Sequence, residues 1–396
     1  MKIAITGMGI VSAIGQNVEA NKQSLIAEKT GIGKATLLQS RLTDTHLFGE
    51  VKISNEQLKQ ELNISADTLI SRTSLLGIKA VKEALGQVSE NKNLRAGLIS
   101  GTSVGGMDRT EGFFREKIKE EKTDRITDLL THDCGDTTDK IAEYFGGFTY
   151  VNTISTACSS SANTIMMGAN LIKTGKLDRV IVGGIDPLSA FTANGFNSLM
   201  ILDTEWCKPF SANRKGLNLG EGAAFLILES DKVLKDNSSK VIGYVSGYAN
   251  ANDAYHQTAS SPDGRGATMA MTNALKMAGV NPSEISYINA HGTGTNNNDE
   301  SESTAINNVF GAAKPPISST KAYTGHTLGA AGAIEAVFSV LALQNNWVFP
   351  NLNFQEQIAE NDWEPALKME DRPLKHVLSN SFGFGGNNSS LILSKA

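Results

Sequence analysis

Asn152–Thr153–Ile154–Ser155–Thr156–Ala157–Cys158–Ser159–Ser160–Ser161 lies between two readable segments. Before it comes a β-leaning run, Phe148 to Val151, behind Gly146–Gly147; after it, Ala162 to Ile172 carries apolar residues at helical spacing. That order predicts a strand, a tight turn and a helix, with Cys158 just inside the helix N-terminus. The first helical turn has unpaired N–H groups and the positive end of the helix dipole. Such a place lowers a thiol's pKa and leaves donors for a developing oxyanion. A lone cysteine among small residues is more often simple packing. The serine run argues the other way, because hydroxyls at a helix start cap it and do not build a dry core.

Outward from this stretch, the chain has 396 residues, 40% of them hydrophobic, with 38 glycines and 9 prolines. That length exceeds a typical single core and predicts two packed units, 1–240 with the cysteine and 241–396. A net charge of −5 excludes a general nucleic-acid binder. Cys134, Cys158 and Cys207 are odd in number and far apart, so they form neither a disulfide framework nor a metal-ligand spacing. A reducing cytoplasm fits them. The start, Met1 to Val11, reads as a first strand and turn and not as a signal peptide. No apolar run looks long enough to span a bilayer, since Glu335 interrupts the best helix, Gly329 to Leu343. The reading is of a soluble protein.

Gly7–Met8–Gly9 is a poor dinucleotide fingerprint without a third glycine, and no Tyr-x-x-x-Lys follows. Those glycines are expected to shape the first turn. Helices are expected over 17–28 and 66–86, with irregular surface chain over 30–54 and a charged excursion, on the surface or at a subunit contact, over 109–139. Further strands are expected over 94–102, 178–184, 223–228, 241–248, 285–290 and within 377–393. Phe196 falls in a loop, and helices are expected over 266–278, 302–310 and 325–343. Strands alternating with helices in both halves predict parallel sheets in an α/β layered fold. Cys158 opens a helix in the first half as His326 does in the second, a weak internal repeat with the chemistry placed between the halves.

Three more loops hold residues that packing does not require. Asn289–Ala290–His291–Gly292–Thr293–Gly294–Thr295 follows a buried-looking strand. Ser318–Ser319–Thr320–Lys321–Ala322–Tyr323–Thr324–Gly325–His326 leads to a helix, and Asn380 to Asn388 is a glycine loop between strands. Either histidine alone is more often structural, but both stand beside glycine at element ends. Ser318-x-x-Lys321 does not fit a serine–lysine hydrolase, because no Ser-Asp-Asn follows. Asp299, Glu300 and Glu302 read as an exposed acidic helix start rather than as metal ligands.

Taken together, Thr156–Ala157–Cys158, Asn289 to Thr295, Lys321 with Gly325 to Gly332, and Asn380 to Gly386 resemble, in order and spacing, the motifs of β-ketoacyl-acyl-carrier-protein synthases. The resemblance covers essentially the whole chain. It implies a thiolase-like α/β fold, five-layered α-β-α-β-α, built from two similar halves and normally dimeric. It implies that Cys158 accepts an acyl group, with the amides of Cys158 and Phe384 as the oxyanion hole. A malonyl-carrier thioester then loses CO2, and its enolate attacks the acyl-Cys158 carbonyl. By the same resemblance His291 and His326 stabilise the enolate, Lys321 pairs with Glu335, and Phe384 is a gate. Thr293, Thr295, Phe196 and Phe382 match substrate- and phosphopantetheine-binding positions. No free cofactor and no metal are implied, because the arm rides on the acyl carrier protein.

Cys-His-His resembles the elongating, decarboxylating branch; thiolases need a second, late cysteine, and the last here is Cys207. The alternative is a non-catalytic chain-length-factor-like partner in a heterodimer, which retention of Cys158 disfavours; a hydrolase or thiolase is more distant. Asn387 stands where a threonine is common, Ser159–Ser160–Ser161 is unusually hydroxyl-rich, and Met200 falls where many relatives offer a basic residue to the carrier. These departures leave room for a specialised type II polyketide or aryl-polyene pathway. A carrier-docking patch including Arg72, Lys79, Lys208, Arg214 or Lys215 is expected, as are acyl-pocket walls over 100–140 and 190–202. Homodimer and heterodimer both remain open, and neither nucleic acid nor membrane is expected as a partner.

Overall fold

The computed structural model describes residues 2–91, 93–237, 239–358 and 361–396. In the first half, β1 (Ile3–Ser12), α1 (Val18–Ile26), α2 (Asn55–Glu61) and α3 (Arg72–Leu85) lead to β2 (Ala96–Gly101) and α4 (Met107–Glu120). Next come α5 (Cys134–Phe145), β3 (Tyr150–Ile154), α6 (Ser160–Lys173), β4 (Arg179–Asp186), α7 (Ala190–Ser198), β5 (Gly222–Glu229) and α8 (Asp231–Asn237). The second half runs β6 (Gly243–Asn252), α9 (Arg265–Ala278), β7 (Tyr287–Asn289), α10 (Asn296–Phe310) and β8 (Ile317–Ser318). It continues through α11 (Lys321–Thr324), α12 (Ala331–Asn345), β9 (Trp347–Val348), β10 (Glu370–Asp371), β11 (His376–Gly383) and β12 (Asn387–Ser394).

Ten strands join edge to edge in the order β3-β2-β4-β5-β1-β6-β12-β11-β7-β8. Numbered within each half, both read third, second, fourth, fifth, first from the outer edge inward, and they meet where β1 pairs with β6. The sheets are mixed and not parallel throughout: β2 pairs in parallel with β3 and β4, but β5 runs against β4 and β1. In the same way β7 pairs in parallel with β8 and β11, while β12 runs against β11 and β6. β11 and β12 are joined by a short turn, and a short connection returns the chain antiparallel. Helices α3 and α5 pack on one outer face, α6 and α12 lie between the two half-sheets, and α9 and α10 cover the other outer face. The result is the expected α-β-α-β-α layering.

Gly7 and Gly9 do not shape a turn; they lie inside β1. A Cβ on Gly9 would sit 2.0 Å from the Ala80 carbonyl oxygen, so the missing side chain lets α3 lie directly on the strand. The expected 66–86 helix begins only at Arg72, where Ser71 accepts from the Ser74 amide and caps it. The excursion over 109–139 is largely helical, in α4 and α5. The expected 325–343 helix is broken: Leu328 takes a left-handed φ of 51°, and α12 starts at Ala331. The segment Leu328–Asn345 is long and apolar enough to cross a membrane by length and composition, contrary to the sequence reading, but 89% of it is buried inside the protein. It is the central core helix, packed on α6, β5 and β11.

Candidate active site

Cys158 stands before the helix, not within it: α6 begins at Ser160, with Ser159 as its N-cap residue. The preceding Ala157 is held at φ 52°, a left-handed backbone that a non-glycine residue adopts only under constraint. The constraint comes from the serine run, which does not cap as expected. Ser160 Oγ accepts from the Thr156 amide and donates to the Ala157 carbonyl, while Ser159 Oγ donates to the Thr156 carbonyl and to Asn387 Oδ1. Ser161 Oγ accepts from the amide of Ala333 on α12. All three serines are fully buried, so these hydroxyls staple the bend across the two halves.

Around Cys158 the second half contributes two imidazoles. His326 Nε2 is 3.1 Å from Cys158 Sγ, and the His291 and His326 ring centroids are 5.2 Å apart. Lys321 Nζ donates to the His291 carbonyl at 2.6 Å, ion-pairs with Glu335 and lies 3.1 Å from His291 Nδ1. An ammonium only donates, so Nδ1 is the acceptor and the His291 proton resides on Nε2, facing the site. His326 is pinned through its backbone, its amide donating to the Asn218 carbonyl, but Nδ1 has no hydrogen-bond partner among the described residues. Its tautomer is therefore not set by a neighbour.

The electrostatics reverse one expectation. Burial pushes the Cys158 thiol up to about 11, outweighing the Lys321 charge and the Phe384 amide that favour the thiolate. Burial, with Lys321 beside them, holds both histidines well below their ordinary value, so they are neutral. The resting site holds a thiol and two neutral imidazoles. Ligand atoms of Cys158, His291 and His326 lie within 4.8 Å of one another, close enough for one metal ion. The protonated Nε2 of His291 does not suit a cation, because it presents a donor where a ligand needs a lone pair.

The glycine loop closes the other side. A Cβ on Gly383 would meet the Cys158 amide at 3.1 Å, so glycine there lets β11 end against the cysteine bend. Gly385 and Gly386 both have positive φ and turn the chain into β12. The Phe384 ring stacks on Phe196 with centroids 5.6 Å apart, and Phe382 lies against His291 at 5.9 Å. Phe196 belongs to α7, not to a loop. Thr293 and Thr295 bond each other through their hydroxyls at 2.9 Å. The three phenylalanines, Thr293 and Thr295 line, with Cys158, His291 and His326, a cavity of about 250 Å³ that Met200 also borders. Of the expected acyl-pocket walls, 190–202 borders this cavity and 100–140 does not.

Asp299 and Glu302 are completely buried and are not an exposed helix start. Glu302 accepts from the amides of His291 and Gly292, and Asp299 accepts from those of Thr293, Gly294 and Phe210. Burial raises the Glu302 carboxyl to about 7 against those hydrogen bonds. Helix α10 starts at Asn296, earlier than expected, and its first turns hold the histidine loop by its backbone. Glu300 is the exposed member and pairs with Arg214. Of the five proposed docking cations, Arg72 is buried on Glu221, Lys79 pairs with Glu61, Lys208 with Glu205, and Arg214 with Asp299 and Glu300. Lys215 alone borders the cavity.

Sequence reasoning missed Asp186, fully buried at the end of β4. It accepts from Thr102 Oγ1 and the amides of Ser103 and Val104 in one half, and from the Gly329 amide, three residues past His326, in the other. A lone acid directly after the apolar Val180–Ile181–Val182–Gly183–Gly184–Ile185 run was the available signal.

Residues 1–233 match the N-terminal domain of beta-ketoacyl synthase, and residues 242–355 match its C-terminal domain. The chain belongs to the β-ketoacyl synthase family. It is 32% identical to the 3-oxoacyl-[acyl-carrier-protein] synthase 2 of Staphylococcus aureus, over 100% of this chain and 98% of that one. Among solved structures, this β-ketoacyl synthase superposes on the ishigamide ketosynthase/chain length factor with a TM-score of 0.93 at 27% identity, covering 100% of this chain and 99% of that one. The ketosynthase ApeO in complex with its chain length factor ApeC, from Xenorhabdus doucetiae, is similar at 33% identity and a TM-score of 0.82, over 100% and 98% of the two chains.

Proposed function

We propose that this ketosynthase performs decarboxylative Claisen condensation, joining a Cys158-bound acyl chain to a malonyl unit carried by acyl carrier protein. The observation that carries this reading is the 3.1 Å contact between Cys158 Sγ and His326 Nε2, beside a second imidazole whose Nε2–H is fixed as a donor. Cys158 Sγ attacks the carrier thioester while His326 Nε2 takes the thiol proton and returns it to the departing pantetheine sulfur. The amides of Cys158 and Phe384 receive the oxyanion; the nearness of the Phe384 amide to the sulfur supports this role.

In the second half-reaction the malonyl C–CO2 bond breaks, CO2 departs and the electron pair remains as an enolate. His291 Nε2–H donates to the enolate oxygen, and His326, whose Nδ1 no neighbour holds, joins it as a donor once its own proton stands on Nε2. The enolate carbon attacks the acyl carbonyl, the C–S bond to Cys158 breaks with the electron pair left on sulfur, and a proton from solvent restores the thiol. Lys321 and Glu335 act through His291, holding its tautomer. Thr293, Thr295, Phe196 and Phe382 contact the arm and the chain, and Phe384 gates between the two half-reactions.

The division at 240/241 is supported by the repeated strand order and by the junction at β1 and β6. Pairing with a second chain is supported by β3, which is an edge strand with Val151 exposed, and by the exposed apolar Ile118, Ile126 and Leu130. The complete Cys158, His291, Lys321, His326 set favours an active chain, in a homodimer or beside a chain-length factor, over a silent partner. The three well-separated, unpaired cysteines are consistent with the cytoplasm.

Intact-mass measurement after incubation with acyl-carrier protein tests the reading. One acyl mass is expected on Cys158 and none on Cys158→Ala, and spraying under native conditions separates the two pairings, a homodimer giving twice the chain mass. An unacylated wild type would refute it.

A further inference from the structure

The imidazole at the sulfur lacks the support that an acid–base group ordinarily has. Such a base is usually oriented by a third group on its far nitrogen. His326 Nδ1 has no hydrogen-bond partner among the described residues, and so no orienting side chain there. The backbone that carries the ring has to set its position.

That backbone is tied to the first half of the chain. The His326 amide donates to the Asn218 carbonyl at 2.7 Å, and the His326 carbonyl accepts from the Gly220 amide at 2.9 Å. Beyond it Leu328 turns left-handed, and neither the 3₁₀ turn Leu328–Ala330 nor α12 has a side-chain cap of its own. The amides that open a helix need acceptors, and the first half supplies them. Asp186 Oδ2 accepts from the Gly329 amide at 2.6 Å, and Ser161 Oγ accepts from the Ala333 amide at 2.9 Å.

The two oxygens of the buried Asp186 have different partners. Oδ1 accepts from Thr102 Oγ1 at 2.6 Å and from the Ser103 and Val104 amides at 2.9 and 3.1 Å. Oδ2 shares the Ser103 amide at 3.0 Å and otherwise serves Gly329. Glycine is required at this contact, since a Cβ on Gly329 would lie 2.8 Å from Oδ2. Burial raises the carboxyl to about 6 against these bonds, which leaves it mostly ionised at neutral pH. An anion there also lies at the positive end of α12.

We infer that Asp186 is a positioning residue for His326: through the Gly329 amide it fixes where the helix after the histidine begins, and so holds Nε2 at 3.1 Å from Cys158 Sγ. The acid does through the backbone what an orienting side chain on Nδ1 would otherwise do. It does not border the cavity, so it reaches the chemistry only through the chain it holds. This deepens the condensing-enzyme reading and rests on it.

The test is a double-mutant cycle read on acylation of Cys158 by an acyl-N-acetylcysteamine thioester, followed by intact mass well below the thermal midpoint of every variant. Asp186→Asn keeps the size of the side chain. Its oxygen stays with the three donors around Oδ1, and its NH2 then confronts the Gly329 N–H, donor against donor. A misplacement of about 1 Å in a catalytic site can cost about a hundredfold; for this smaller shift the maximal rate should fall about tenfold, with half-saturation by the donor unchanged. In a His326→Ala chain, whose slower acylation is followed over hours, the same substitution should change the rate less than about twofold. Gly329→Ala presses on the contact from the other side; it should repeat both results, and it reads the contact if Asp186→Asn does not fold. An unchanged maximal rate, or an equal tenfold loss in the His326→Ala background, overturns the inference, because damage spread through the fold would multiply with loss of the histidine. If His326→Ala acylates as fast as the native chain, or native Cys158 takes no acyl group, the condensing-enzyme reading fails and this inference with it.

Discussion

Cys158 is a weak nucleophile at rest, and its surroundings say why. Burial raises its thiol to about 11, and the helix that would lower it starts two residues later. The group that activates it is the neutral imidazole at 3.1 Å, not a standing thiolate. A consequence is visible without substrate. Because the raised pKa leaves little thiolate at neutral pH, iodoacetamide labelling of Cys158 should accelerate about tenfold per pH unit between roughly pH 7 and 9. A labelling rate already flat below pH 7 would mean a depressed thiol and would contradict this description. The sequence made Cys158, His291, His326 and Lys321 legible because glycine and hydroxyl residues flank each of them at an element end. Glu302 and Asp299 misled it, since acids at a helix start are usually solvated. Nothing local marks that the backbone amides of the histidine loop turn inward onto them.

At the scale of elements, the site depends on how closely backbones approach. β1 accepts α3 through Gly9, and β11 meets the cysteine bend through Gly383. Replacing Gly9 by alanine would drive a methyl to 2.0 Å from a helix carbonyl, so α3 must move. We expect about 1–3 kcal/mol of destabilisation and a lowered thermal midpoint. Gly33→Ala, where a Cβ meets nothing within 4 Å, should leave the midpoint unchanged. Equal midpoints for the two variants would show that the glycine is not needed for packing. Strands and helices of the layered core were readable from apolar periodicity, but not α4, α5 and α7, where an excursion and a loop were expected. Boundaries failed where tertiary contacts decide them: the left-handed Leu328 breaks the helix after His326, and Asp186 in the opposite half holds the Gly329 amide at that break.

For the whole molecule, two half-sheets of identical strand order meet at β1 and β6 and enclose α6 and α12. The chemistry lies where those central helices begin, one half supplying the sulfur and the other the imidazoles and the glycine loop. Alternation of strands and helices foretold the layering but not the antiparallel return of β5 and β12, which follows from connections that carry no crossover helix on the sheet. The role of that meeting of halves is tested most directly by a single turnover. Acyl-Cys158 enzyme, isolated free of donor, is mixed with one equivalent of malonyl-carrier protein. Release of CO2 and loss of the acyl group from Cys158 should match the β-ketoacyl-carrier formed, while His291→Ala stays acylated and releases no CO2. An acyl group lost to water with the malonyl-carrier intact, or an unimpaired His291→Ala, would contradict the account.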